Sequence, residues 1–435
     1  MTKKNKLLVF CVDALCASDI EFLRSTPHFG KILKNGALVE KVLPVFPALT
    51  YPCHTSILTG TYVNRHGIAH NEILKRGGKK DVVWHNMKED VKAETLLDLA
   101  REEGLTTCSL SWPVSGAADY DFNMPMIVPI DYQGYQPERW LRGTATDNLM
   151  ERYFHKHGRY LKGPDRSLDL FTMALALDIL EDFEQPDVML VKMCDLDSVR
   201  HTYGVYHQKT KDQLLKHDQE LGAIMECLRR KGTLENTNLA VLGDHGQTDI
   251  RDALLLNVLL EKNGFLKTDE SGKIISFDAF SRSAGLSALI EVRDPQDEDL
   301  MARVREFLET LRSDAEIQLS LVMDAAEAEE AHGLAGNFDF IVESALPIAF
   351  DENTKGDSIW GTLQPGDHKV GAASHGGSPE REEVTTFFAS GPSIKKATVT
   401  NPRPMVDLAP TLAQILGFRM DGADGTVIEE IIKRA

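Results

Sequence analysis

The stretch Asp187–Cys194 (DVMLVKMC) is apolar at nearly every position, so a strand built from it has no face to give to water. Strands of that kind belong in a parallel sheet covered by helices on both sides. Outward from it the same texture recurs. Leu7–Val12, Leu105–Trp112, Asn238–Leu242 and Thr385–Ala389 read as further strands, and helical patterns fall at Ala93–Glu102, Leu168–Phe183, Lys211–Arg230 and Met405–Leu416. The alternation predicts an α/β fold with a mostly parallel central sheet flanked by helices. Between about 260 and 366 short strand-like pieces (Ile274–Phe277, Ala288–Val292, Phe338–Ile341) surround a helix at Asp299–Ser313, and the run Asp324–Ala331 reads as a separator. This predicts a core made of residues 1–260 and 367–435, with 261–366 inserted as an α+β cap subdomain.

The chain has 435 residues with 66 Asp+Glu against 48 Lys+Arg, a formal charge of −18 that argues against coating nucleic acid or an anionic membrane. The six cysteines (Cys11, Cys16, Cys53, Cys108, Cys194, Cys227) are scattered without a CxxC pair, as in a reduced cytoplasmic protein. Met1–Val12 faintly imitates a signal peptide, but Asp13 ends the apolar run after six residues, so a buried first strand is expected. No stretch of about 18 apolar residues occurs, and no membrane span is expected.

Three acids sit at or just past strand ends: Asp13 after LLVFCV, Asp197 after VMLVKMC, and Asp244 after LAVLG. In an open α/β sheet the loops beyond the carboxyl ends of the strands form the binding crevice. Three carboxylates gathered there repel one another and call for cations. Histidines accompany them: Asp197 and His201 lie four apart, on one face of a helical turn, His245 adjoins Asp244, and His375 lies in a glycine-rich loop. Singly, each is ordinary, because an Asp after a strand is usually a helix cap or turn residue. Together, carboxylates and imidazoles suit Zn²⁺, or less selectively Mn²⁺ or Fe, better than Ca²⁺ or Mg²⁺ alone.

Phe46-Pro47-Ala48-Leu49-Thr50-Tyr51-Pro52-Cys53-His54, followed by Leu58-Thr59-Gly60 and His66-Gly67-Ile68, makes the pattern specific. With Trp112-Pro113-Val114-Ser115, Asp197…His201, Asp244-His245-Gly246 and His375-Gly376 in order, the chain resembles the type I phosphodiesterase/nucleotide pyrophosphatase family of the alkaline phosphatase superfamily. The resemblance covers nearly all of the chain outside 260–366. It implies an alkaline-phosphatase-like core, Thr50 as nucleophile, and two divalent metal ions, Zn²⁺ foremost. One ion would be held by Asp197, His201 and His375, the other by Asp13, Thr50, Asp244 and His245. Asn71 would donate to a non-bridging phosphate oxygen. The implied activity is hydrolysis of phosphodiester or pyrophosphate bonds in small soluble substrates through a phosphothreonine intermediate. Sulfatases need a modified Cys or Ser, and alkaline phosphatases use Ser; Cys53 does not fit the sulfatase context and stands where Asn is usual.

Some residues keep two readings. Tyr51 fits an aromatic position that flanks a nucleobase pocket, or is ordinary core. Asn71 is the phosphate donor or a loop cap. Lys192 replaces an aromatic residue of nucleotide-cleaving relatives, and either offers a cation to a second anionic group of the substrate or snorkels to solvent. The first reading of Lys192 keeps open phosphonoacetate hydrolase, or a phosphomonoesterase, with the same Thr and metal site. Arg200 reaches substrate or pairs with a surface acid. A metal-binding pseudoenzyme is a further alternative, disfavoured by the intact Thr50. Oligomeric state is not readable. Three carboxylates and two divalent cations would leave a local charge of about +1, so an acidic surface is compatible with a small anionic substrate.

Overall fold

Successive side chains of a strand point to opposite faces, and the first strand, Lys6–Val12, is apolar at both sets of positions. Leu7, Val9 and Cys11 enter one buried cluster and Leu8, Phe10 and Val12 another, so this strand sits between two cores. In the computed structural model, which describes residues 5–77, 83–128, 136–381 and 384–433, it lies near the middle of a nine-stranded sheet. The order runs Ala397–Val399, Ala37–Leu43, Thr385–Ser390, Thr237–Leu242, Lys6–Val12, Val188–Met193, Thr107–Leu110, Phe122–Met124, with Arg403–Pro404 also on Ala37–Leu43. All pairings are parallel except the two made by Thr385–Ser390.

Helices cover both faces. Thr50–Thr59 and Leu408–Leu416 pack through Ile57, Leu58, Leu408 and Leu412 on one side. Leu168–Asp182 and Gln208–Arg230 pack through Phe171, Ile179, Leu221 and Ile224 on the other. The strand at Ala37–Leu43 is absent from the sequence reading, because Glu40 and Lys41 interrupt its apolar run.

Residues of the 261–366 region form an antiparallel four-stranded sheet, ordered Ala279–Ser283, Ser287–Val292, Phe340–Ser344, Leu319–Asp324. Its helix Glu298–Thr310 buries Leu300, Val304 and Leu308 in a separate apolar cluster that also takes in Leu254, Leu256 and Leu260 from before the region, while Leu289, Phe338 and Ile341 join the main core. The run expected to be a separator is a helix, Ala325–His332. Asp324 caps it by accepting from the Glu327 amide while the Glu327 side chain accepts from Asp324, a reciprocal capping box. Met1–Lys4, part of the signal-like stretch, lies outside the described residues.

Candidate active site

The three acids do converge. Lys6–Val12, Val188–Met193 and Thr237–Leu242 are neighbouring parallel strands, so the loops after them open at the same edge of the sheet. Asp13 follows the first directly. Asp197 and His201 stand on the helix Asp195–Tyr203, whose first amides at Cys194 and Asp195 donate to the carboxylate of Asp169 at 2.7 and 3.0 Å. Asp244 and His245 follow the third strand. His375 arrives from a distant loop, placed by the two-residue pairing of Ala373–Ser374 with Thr248–Asp249.

Each imidazole is fixed through one nitrogen, which decides where the other points. Nδ1 of His201 donates to the Ala373 carbonyl at 2.8 Å, Nδ1 of His375 to that of Ala48 at 2.9 Å, and Nδ1 of His245 to that of Gly246 at 3.1 Å. The three Nε2 atoms therefore turn toward the carboxylates. His201 Nε2 is 3.2 Å and His375 Nε2 3.8 Å from Asp197 Oδ1; His245 Nε2 is 3.3 Å from Asp13 Oδ1 and 3.2 Å from Asp244 Oδ2. Zinc bonds of about 2.0–2.1 Å in tetrahedral array put neighbouring ligand atoms about 3.3 Å apart. Asp13 Oδ1, Asp244 Oδ2 and His201 Nε2 are buried with no hydrogen-bond partner. Such orphans in the interior carry a desolvation penalty that a cation would offset. Asp197, His201 and His375 form one cluster of possible metal ligands, and Asp13, Asp197 and His245 another. The rings of His245 and His375 stack with centroids 3.8 Å apart, so the two clusters are contiguous.

The electrostatics match a site built for cations. Burial, reinforced by the charge of Asp244, pushes the Asp13 carboxyl well above the usual range. Burial alone would also raise Asp197, but His201 and His375 hold it below the ordinary carboxylate value. Burial, with His245 alongside, drives His375 well below the usual imidazole value, leaving it neutral and able to ligate.

Thr50 opens the ten-residue helix Thr50–Thr59, and its Oγ lies 3.2 Å from His245 Nε2. At a helix N-terminus the peptide dipoles favour negative charge. Asn71 is buried and its Oδ1 accepts from the Tyr51 amide at 2.9 Å, which leaves the Nδ2 hydrogens as its donors. Tyr51 is fully buried against Ile68 and Val114, edge-to-face with Trp84 at 5.2 Å.

Two side chains depart from both readings offered for them. Lys192 does not snorkel: it is 1% exposed, and its Nζ is 2.6 Å from Asp13 Oδ2, so its charge is committed to a carboxylate of the site. Arg200 is also buried, forked onto Asp19 at 2.7 and 2.8 Å, with Nη1 on the Ala14 carbonyl. Sequence reasoning missed His54, whose Nδ1 lies 2.7 Å from the Thr50 carbonyl and 3.2 Å from Asp244 Oδ2. The signal was its i+4 spacing from Thr50 on one helix face. It also missed Gln247, whose amide donates to Asp197 Oδ1.

The inserted region reaches the site through a turn. Gly285 has φ +80°, and a Cβ there would lie 2.1 Å from the His375 carbonyl; Gly376 has φ +94°, and its Cβ would lie 1.7 Å from that of Ala284. Only glycines allow this approach. It is pinned by Leu286 N–H donating to the His375 carbonyl at 2.9 Å and Ser287 Oγ to that of Gly376 at 2.6 Å.

A parallel-sheet core with this cluster at its strand ends is the architecture of an alkaline-phosphatase-like hydrolase, and comparison with known proteins agrees. The sequence model of the family described as type I phosphodiesterase/nucleotide pyrophosphatase matches residues 7–362, and the chain belongs to that family of hydrolases. The ectonucleotide pyrophosphatase/phosphodiesterase family member 7 of Rattus norvegicus is 21% identical over 437 residues, 97% of this chain and 86% of that protein. The bis(5'-adenosyl)-triphosphatase ENPP4 of Homo sapiens is 25% identical over 266 residues, 58% of this chain and 50% of that protein. Among solved structures, murine ectonucleotide pyrophosphatase/phosphodiesterase 5 superposes with a TM-score of 0.68 at 20% identity, covering 98% of this chain and all (100%) of that one. An inactive threonine-to-alanine form of the same murine protein, in complex with AMP, gives a TM-score of 0.67 at 18% identity, covering 99% of this chain and 100% of that one. Among the described residues no helix is long and apolar enough to cross a membrane.

Proposed function

We propose that this chain is a dinuclear metal hydrolase of phosphodiester or pyrophosphate bonds in small soluble substrates, acting through an ester on Thr50. The observation that carries the reading is the set of three Nδ1-anchored imidazoles whose Nε2 atoms meet Asp13, Asp197 and Asp244 beside the Thr50 hydroxyl. Two divalent ions, Zn²⁺ foremost with Mn²⁺ or Fe as alternatives, would be held by Asp197, His201 and His375 and by Asp13, Thr50, Asp244 and His245; when bound they supply an accessible alkoxide and neutralise phosphoryl charge. Thr50 Oγ attacks phosphorus, forming the Oγ–P bond as the bond to the leaving oxygen breaks in line. The Thr50 proton passes to solvent and the leaving oxygen takes one from water. Water then attacks the same phosphorus from the opposite side, and the Oγ–P bond breaks to restore Thr50. Asn71 Nδ2 donates to a non-bridging oxygen where charge accumulates. Trp84, half-buried and backed edge-to-face by Tyr51, is the aromatic face available to a planar base, while Tyr51 itself, fully buried, takes the core reading rather than the pocket one. We read residues 261–366 as an insert that braces the His375 loop, and we assign the chain to a reducing cytoplasm on the scattered spacing of its six cysteines.

The test is hydrolysis of bis-p-nitrophenyl phosphate with added Zn²⁺ or Mn²⁺, beside a phosphomonoester and phosphonoacetate. A metal-dependent diester rate exceeding both others is expected. Faster phosphate release from phosphonoacetate would move the assignment to that alternative, although its sequence support, a free Lys192 cation, is lost with that ammonium on Asp13.

Gly285→Ala provides an independent check on the brace. The methyl collides with the His375 carbonyl, so Zn²⁺ affinity at the Asp197–His201–His375 cluster should fall about tenfold or more, as for other supports of metal ligands. Titration calorimetry measures it, and an unchanged affinity would remove the insert from the account of the site.

A further inference from the structure

We propose that Lys192 is a resident counter-ion for Asp13 that makes the two metal positions unequal, steadying the metal-free site and loosening the ion bound at Asp13. The inference rests on the dinuclear reading above. Lys192 stands opposite Cys11 in the parallel pairing of Val188–Met193 with Lys6–Val12, on a strand buried at every position. An ammonium there is expensive to desolvate and requires a partner. Asp13 Oδ2 is that partner at 2.6 Å; the other polarisable neighbours are Cys194 Sγ at 3.0 Å and Met126 Sδ at 3.9 Å.

Two consequences follow. With Oδ2 engaged, Asp13 has one oxygen left, the orphaned Oδ1 that lies 3.3 Å from His245 Nε2, so it can serve as a one-oxygen ligand only. A fixed positive charge against that ligand also opposes the approach of a dication. The other cluster has no such charge: among the described residues, Asp197 meets the imidazoles of His201 and His375 and the amide of Gln247, with no ammonium or guanidinium on it. Asp197 should therefore load first and Asp13 second. Without metal, the same ammonium offsets the repulsion between Asp13 and Asp244, whose Oδ1 and Oδ2 atoms, respectively, lie 3.3 and 3.2 Å from the same His245 Nε2.

The experiment is calorimetric Zn²⁺ titration of the metal-free chain and of Lys192→Met and Lys192→Gln, paired with thermal melting of each protein with and without Zn²⁺. The parent should take two ions with constants about tenfold or more apart. In both variants the weaker constant should tighten by about fivefold or more, the metal-free Tm should fall, and the Zn²⁺-induced rise in Tm should grow. Gln keeps a hydrogen-bond donor without the charge, so it separates electrostatics from orientation and provides a folded variant where Met disrupts the core. Two equal constants in the parent, or a weaker constant that stays put or loosens in both variants, overturns the proposal while leaving the dinuclear reading intact. Fewer than two ions in the parent overturns the dinuclear reading and the proposal with it.

Discussion

Thr50→Ala is expected to lower metal-dependent phosphodiester turnover by about 10³-fold or more, the scale on which removal of a nucleophile acts. The loss should fall on kcat. Thr50 begins its helix within 3.2 Å of His245 Nε2, while the six other side-chain ligands, Asp13, Asp197, His201, Asp244, His245 and His375, owe their positions to other elements. Both ions should therefore still bind, with a modest weakening only at the ion Thr50 would touch. Thr50→Ser keeps the hydroxyl and should recover a substantial part of the rate. Steady-state kinetics on a p-nitrophenyl diester, beside metal stoichiometry, check this. Retention of most of the rate in Thr50→Ala would eliminate covalent catalysis, and loss of both ions would make Thr50 a structural ligand.

The second large effect is expected away from the reacting atoms. Arg200 is fully buried, with both Asp19 oxygens within 2.8 Å of its Nη2 and Nη1 2.8 Å from Cys16 Sγ. Arg200→Met strands the Asp19 carboxylate in the interior, and breaking one partner of a buried ion pair costs about 3–5 kcal/mol. Arg200→Lys restores charge but not the planar fork, and should recover only part of the loss. The midpoint of urea unfolding measures both. The guanidinium also reaches the carbonyl of Ala14, the residue after Asp13, and itself precedes His201. Arg200 thus ties the loop of one metal cluster to the helix of the other, and Zn²⁺ affinity should drop in the same variants. A stability change below about 1 kcal/mol would mean that the pair is not structural.

What could be read in the sequence was whatever depends on local order. The run Leu7–Val12 ending at Asp13, the four-residue spacing of Asp197 and His201, and the adjacent Asp244 and His245 each announce themselves within a few residues. The parallel sheet then assembles them, because strands apolar on both faces have no other place to go. Partners far along the chain were not legible. Lys192 meets Asp13 across 179 positions and Arg200 meets Asp19 across 181, and no local pattern marks a buried cation whose acid lies on another strand or turn. The brace on His375 was hidden for the same reason, since Gly285 reads as an ordinary turn glycine until the His375 loop is seen against it. The Asp324–Ala331 run was misread because its acids looked like solvated spacing, when two of them, Asp324 and Glu327, close a helix cap.

The proposed reaction stands on a bond between Thr50 and phosphorus. Rapid acid quench of a turnover reaction on a diester, followed by proteolysis and mass spectrometry of the peptide carrying Thr50, measures this directly. A phosphoryl ester on Thr50 is expected to appear and decay at rates competent for turnover, and to be absent from Thr50→Ala. An unmodified Thr50 throughout rapid metal-dependent turnover, or an ester on another residue, would contradict it.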